Sequence, residues 1–226
     1  MNLYWILLFI GIAVLSYAVQ ANLDRKFSKY SQMASPSGLT GREVAQQMLS
    51  DYGVRGVRIT CIEGQLTDHY NPETNTVNLS KGVYSGRSIA SAAVAAHECG
   101  HAVQHAKQYA PVRMRSAMVP VVQFASKWVT WVILAGILLF EAFPSIMQVG
   151  IVMFAMTTLF SFITLPVEID ASRRALAWLE RSGVTASASL DASKDALKAA
   201  AYTYVVAALS SLGTLIYYIM IFNRRN

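Results

Sequence analysis

Four long apolar runs decide what this chain can fold into. Residues 3–20, LYWILLFIGIAVLSYAVQ, carry no charge at all. Residues 117–140 are apolar apart from Gln123, Ser126 and Lys127, and residues 146–166 and 199–222 are again apolar and carry no charge. About 18 such residues, wound as a helix, cross a bilayer. Inside lipid a helix is the simplest structure that satisfies every backbone polar group. The expected fold is therefore a multi-pass α-helical membrane protein of about four spans. Composition agrees: the charged fraction is 14% and the hydrophobic fraction 54%, whereas an average soluble domain is about a quarter charged. No Lys or Arg precedes the first run, so the basic leader of a cleaved signal peptide is lacking and residues 3–20 read as a retained anchor. The second and third runs, joined by EAFPS, form a hairpin over 117–166.

Between the first and second spans, residues 22–115 change character. In SPSGLTGREVAQQMLSDYG, Thr40 is an N-cap candidate with Glu43 three residues on, a capping box. The helix should stop near Gly53. VRGVRITCIEG alternates as a strand, HYNP makes a turn at Asn71-Pro72, and a second strand covers Thr76–Ser80. A further helix should begin near Ser88. This segment reads as a small α/β domain. Cys61 and Cys99 are too few for a zinc ribbon or a disulfide framework and read as reduced thiols.

The last of those helices carries AAHECGHAVQH, residues 95–105, with three of the four histidines. His97-Glu98-x-x-His101 is the HExxH pattern. Residues four apart share a helical face, so both imidazoles can ligate one zinc ion. Glu98, one residue round, sits beside the open coordination position, where an acid can take a proton from water and return it to the leaving amine. Cys99 lies two residues from each histidine, about 200° round the helix, and faces away. His105 falls about 80° from His97 and is the alternative ligand on this helix. The three-histidine pattern needs its third histidine six residues after the second, and that position is Lys107.

A catalytic site of this kind takes its third ligand from elsewhere, usually a carboxylate. LPVEIDASRRALAWLE, starting at Leu165, offers Glu168 and Asp170, both directly after the third span. The hairpin of spans two and three returns the chain to the face it left, so this stretch emerges on the side of His97 and His101. Pro166 should limit helix continuity, with Glu168 opening a new helical segment that belongs to the polar stretch 167–198. Glu168 is the expected third ligand and Asp170 the alternative. His69, in LTDHY, reads as a loop histidine. The strand Thr76–Ser80 reads as an exposed edge for an extended peptide.

Three stretches, GLTGREVAQQML, GQLTDHYNPETNTVNLSKGVYSGRSIASAAVAAHECGHAVQHA and LPVEIDASRRALAWLE, resemble the neutral zinc metallopeptidases of bacterial membranes, the YugP-like family. The resemblance covers nearly the whole chain. It implies a zinc peptidase with a gluzincin-like (zincin-type) core, His97 and His101 as ligands, Glu98 as the catalytic acid and Glu168 as the third ligand. Membrane quality-control zinc proteases resemble this plan too, with a Glu-x-x-x-Asp ligand helix. Here the position four after Glu168 is Ser172, so the residue that would orient a histidine differs.

The expected function is a membrane-anchored zinc endopeptidase with one catalytic zinc ion. Its partners are a polypeptide substrate in extended or unfolded form and the lipid bilayer, not nucleic acid. The alternatives are a non-catalytic zinc-containing scaffold, for which Glu98 would be superfluous, and an intramembrane zinc protease. For the latter, Lys81, Arg87 and Lys107 bracket the apolar stretch 89–96 too closely for a span. Arg25, Lys26, Lys29, Lys107, Arg113, Arg115, Arg173, Arg174, Arg181, Lys194 and Lys198 flank the two long polar segments, against Arg224 and Arg225 at the C-terminus. The positive-inside rule then places both segments, and the active site, on the cytoplasmic face of the bacterial plasma membrane. The formal charge of +6 is explained by the same rule.

Overall fold

The computed structural model describes residues 3–185 and 187–225. The order of elements is α1 (Leu3–Ser31), α2 (Gly41–Asp51), β1 (Arg58–Ile62), β2 (His69–Asn71), β3 (Thr76–Ser80), α3 (Lys81–Tyr84), α4 (Ile89–Ala106), α5 (Ala110–Leu138), α6 (Pro144–Arg181) and α7 (Ser187–Arg225). The chain divides into two compact units. One comprises residues 1–18, 113–166 and 203–226, and the other residues 19–112 and 167–202.

The first unit is helical. Helices α1, α5, α6 and α7 are each long and apolar enough to cross a membrane. Large side chains such as Tyr4, Phe124, Trp131, Leu138 and Val152 stand exposed on it. So much exposed apolar surface suits lipid rather than water. Inside the unit the helices approach closely where side chains are small. A Cβ on Gly136 would lie 2.6 Å from the Met147 Cα, and one on Gly150 would lie 2.7 Å from Ile133 Cδ1. Trp5 and Phe9 pack their rings on Tyr217 at 4.9 and 5.0 Å between centroids. Thr158 and Ser211 share a hydrogen bond of 2.7 Å between α6 and α7.

The second unit is the α/β one. The capping box of α2 forms as its sequence dictates: the Thr40 hydroxyl accepts from the Glu43 N–H, and Glu43 accepts from the Thr40 N–H at 2.7 Å. The chain leaves α2 at Gly53, whose φ of +67° is a left-handed conformation that glycine adopts without strain. Ser88 caps α4, its hydroxyl accepting from the Ser91 N–H. The sheet has the order β1-β3-β2, with β1 parallel and β2 antiparallel to β3. Strand β3 is thus central and paired on both sides. Its Val77 and Leu79 are buried with Val44, Ala45, Met48 and Leu49 of α2 and with Ala92, Ala93, Ala95, Ala96, Cys99 and Ala102 of α4.

Two expectations are corrected. The exposed edge is not Thr76–Ser80. Val77 and Leu79 point into the core, and β2, a strand where only a turn is expected, takes one flank. Pro166 does not interrupt the helix either: α6 runs unbroken from Pro144 to Arg181. A proline withholds one backbone N–H and crowds the carbonyl four residues back, which a long helix within an apolar segment tolerates. The helix that carries Glu168 is therefore a continuation of the third apolar run, not a separate element.

Candidate metal centre

Helix α4 is buried on nearly every side. Along its length from Ile89 to His105, only Val94, His97, His101 and His105 are partly open. They recur every three or four residues, a single stripe on a helix. Alanine fills nearly half of the remaining positions, which lets α2 and the sheet approach closely. The two HExxH histidines are therefore presented along one line, their ring centroids 4.8 Å apart and their planes nearly perpendicular.

Helix α6 brings the third group. Glu168 Oε2 lies 3.3 Å from His97 Nε2 and 3.5 Å from His101 Nε2. Among the described residues, His97, His101 and Glu168 form the group whose ligand atoms all lie within 4.8 Å of one another. Tetrahedral zinc with bonds of about 2.0–2.1 Å separates neighbouring ligand atoms by about 3.3–3.4 Å. The two histidine–glutamate spacings are close to that edge length, so Glu168 stands where a carboxylate ligand to a zinc ion shared with either histidine would stand. Burial alone would raise the Glu168 carboxyl, but the two facing histidines hold it well below the usual carboxylate range.

The close approach of the two helices depends on Gly100, within the motif. A Cβ there would sit 2.6 Å from the Ala171 carbonyl oxygen and 3.1 Å from the Ala171 Cα. Ala171 lies one turn beyond Glu168, so the contact sits directly beside the ligand cluster.

Glu98 is buried, and its Oε2 accepts the Tyr70 backbone N–H at 2.9 Å. Burial, reinforced by the charges of Glu168 and Asp68, pushes its carboxyl up to about 7, against the opposing pull of His97 and the Tyr70 N–H. A carboxyl in that range can both accept and return a proton near neutral pH. Asp68 is anchored by the Ser80 N–H at 2.7 Å and the Ser80 hydroxyl at 3.0 Å. Tyr70 belongs to β2, so the short strand absent from the sequence reading holds the acid in place.

The other sequence candidates fall elsewhere. Asp170 accepts from Arg174 Nε at 2.6 Å and from Gln104 Nε2 at 2.9 Å. His105 packs its ring on Tyr70, with 5.3 Å between centroids. His69 pairs across the sheet with Asn78, its Nδ1 within 2.8 Å of the Thr67 carbonyl and its Nε2 within 3.2 Å of Asn78 Nδ2. That is the face opposite Val77 and Leu79, away from α4. Cys99 is a free, buried thiol directed at the Ala45 carbonyl, and Cys61 is free and exposed. Ser172 Oγ lies 3.1 Å from His97 Nδ1 and Gln104 Oε1 lies 3.1 Å from His101 Nδ1. Each ring is thus held at the nitrogen that faces away from Glu168. The sequence signal for Ser172 was its place four residues after Glu168. For Gln104 it was a position one turn after His101.

A His-His-Glu cluster able to hold one metal ion, with a buried acid beside it, stands in a chain with four helices long and apolar enough to cross a membrane. Residues 5–223 match the family described as "Putative neutral zinc metallopeptidase", and the chain belongs to that family. It is also similar to "Putative membrane protease YugP" of Bacillus subtilis (strain 168), with 40% identity over 218 residues, 96% of each chain. No solved structure matches.

Proposed function

We propose that the chain is a membrane-anchored zinc endopeptidase whose site is made by His97, His101, Glu168 and Glu98. The observation that carries this reading is the convergence of three ligand atoms within 4.8 Å of one another, with Glu168 3.3 and 3.5 Å from the two histidines, next to the buried carboxyl of Glu98. Bound there, zinc supplies Lewis-acid polarisation of water and of the scissile carbonyl. Glu98 takes the proton from the attacking water, and the same carboxyl delivers it to the leaving amine. The Tyr70 N–H keeps the carboxylate turned towards the sheet edge. The substrate class is an extended or unfolded polypeptide. Strand β2 is the sheet edge beside Glu98, and an edge strand recognises backbone before side chains. A scaffold role would leave the buried acid unexplained, since holding a metal structurally needs no proton shuttle.

The site faces the cytoplasm from the bacterial plasma membrane on the charge distribution around the spans. The deciding experiment is Glu98→Gln, assayed on an unfolded protein substrate in detergent. Zinc should stay bound, because the ligands are unchanged, while hydrolysis falls by ~10²–10⁴-fold. Activity within a few-fold of wild type would remove the peptidase mechanism.

A further inference from the structure

Gln104 is fully buried, and all three of its polar contacts bear on how His101 is presented. Its Nε2 lies 2.7 Å from the Val167 carbonyl oxygen and 2.9 Å from Asp170 Oδ2. That carboxylate oxygen already accepts from Arg174 Nε at 2.6 Å. A carbonyl and a carboxylate only accept, so the end of the amide facing them must be the NH2 group. The amide therefore has one orientation, imposed by its surroundings. Its oxygen is left facing His101 Nδ1 at 3.1 Å. An amide oxygen only accepts, so Nδ1 carries the hydrogen. A neutral imidazole with hydrogen on Nδ1 has its lone pair on Nε2, and Nε2 is the atom that faces Glu168.

The geometry points to Gln104 as a positioning residue that sets the tautomer and ring plane of His101 for metal binding, with Asp170 and Arg174 as the struts that fix its amide. This inference rests on the reading of His97, His101 and Glu168 as a metal centre. The two histidines differ in this respect. His97 faces the Ser172 hydroxyl, which can donate or accept and so follows the ring's tautomer rather than dictating it. One ligand is set by its neighbour and the other is accommodated. Asp170, two residues from the ligand Glu168, contributes through Gln104 instead of touching the ion.

The test uses the full-length protein in detergent, with zinc affinity measured by competition against a chromophoric chelator. Gln104→Met, of similar volume, should weaken zinc binding by ~10–100-fold, the usual cost of losing a partner behind a ligand. Asp170→Ala should weaken it less. The double variant should bind no more weakly than Gln104→Met alone, because Asp170 has nothing left to act through. The visible spectrum of the cobalt-substituted protein should change in Gln104→Met, since the ring is no longer held. A residue that merely ties α4 to α6 would lower thermal stability, leave zinc affinity within twofold and show additive effects, and that result overturns the inference. Absence of zinc binding in the wild type would overturn the metal centre and this inference together. Tight binding by both wild type and Gln104→Met would overturn this inference alone.

Discussion

Gly100→Ala sets two physical effects against each other. In an isolated helix, alanine is favoured over glycine by about 1 kcal/mol, so helix propensity alone would make the variant more stable. Packing works the other way. The new Cβ would fall 2.6 Å from the Ala171 carbonyl oxygen, where an ordinary carbon–oxygen contact is about 3.3 Å. Roughly 0.7 Å must be found, and a helical carbonyl cannot rotate aside. The two helices must part. Glu168, one turn from Ala171, would withdraw from histidine nitrogens that it now faces at 3.3 and 3.5 Å, whereas metal–ligand distances tolerate about 0.2 Å. Overpacking of this kind costs about 1–3 kcal/mol. The metal-free protein can relieve it by letting α6 retreat, but the loaded protein cannot, so the cost falls mainly on zinc affinity. A loss of roughly 5–150-fold follows from that range. Chelator competition on the detergent-solubilised protein measures it, with Gly82→Ala as the control, because a Cβ at Gly82 meets nothing within 4 Å. Zinc affinity within twofold of wild type, together with a raised melting temperature, would refute the reasoning.

Glu168→Ala should strip zinc from the purified protein, a three-ligand site having dropped to two. Asp170→Ala should retain most of it, as metal analysis of the two variants would show. For topology, the native Cys61 is exposed and Cys99 is buried, while Ser80 is buried and would report nothing. In intact cells an impermeant thiol reagent should miss Cys61 and label Ser145→Cys in a Cys61→Ser background; the reverse pattern would invert the orientation. Asp195 accepts from Lys26 at 2.6 Å and from Tyr30 at 2.8 Å, and these bonds hold its carboxyl below the usual range. Its stabilising effect is present above the ordinary aspartate value and is lost as pH falls through the lower folded-state value. Asp195→Asn should therefore lower the melting temperature at neutral pH and converge with wild type in strong acid, with a constant difference across pH counting against the pairing.

The apolar runs, the capping box at Thr40, the start of α4 at Ser88 and the His97–Glu98–His101 motif are legible because each is a local pattern. Periodicity and cap chemistry need only a handful of neighbouring residues. That Glu168 lies with His97 and His101 is legible for a topological reason, since the hairpin expected over 117–166 would return the chain to the side it left. What escaped depends on contacts distant in sequence. Strand β2 has only three residues, too short for an alternation to register, yet it takes one flank of β3 and holds Glu98. Pro166 carries a strong local signal for a break, and an otherwise continuous helical environment overrides it. Gln104 sits in plain view beside His101, but nothing in sequence says that Val167 and Asp170 on α6 will settle which way its amide turns.

The alanines of α4 have a consequence for how the protein can change over evolutionary time. Ala92, Ala93, Ala95, Ala96 and Ala102 are each essentially inaccessible, and an alanine has no rotamer to freeze or to adjust. A core of leucines can absorb a substitution by repacking its neighbours. A helix face made of methyl groups has no such slack of its own, so any larger residue there must be absorbed by the side chains packed against it. These positions should drift only among the smallest residues, while the large side chains opposite them, Met48 and Leu79 among them, exchange with one another. Sequence divergence around this site should therefore concentrate on α2 and the sheet, leaving the helix that carries the histidines nearly fixed in size.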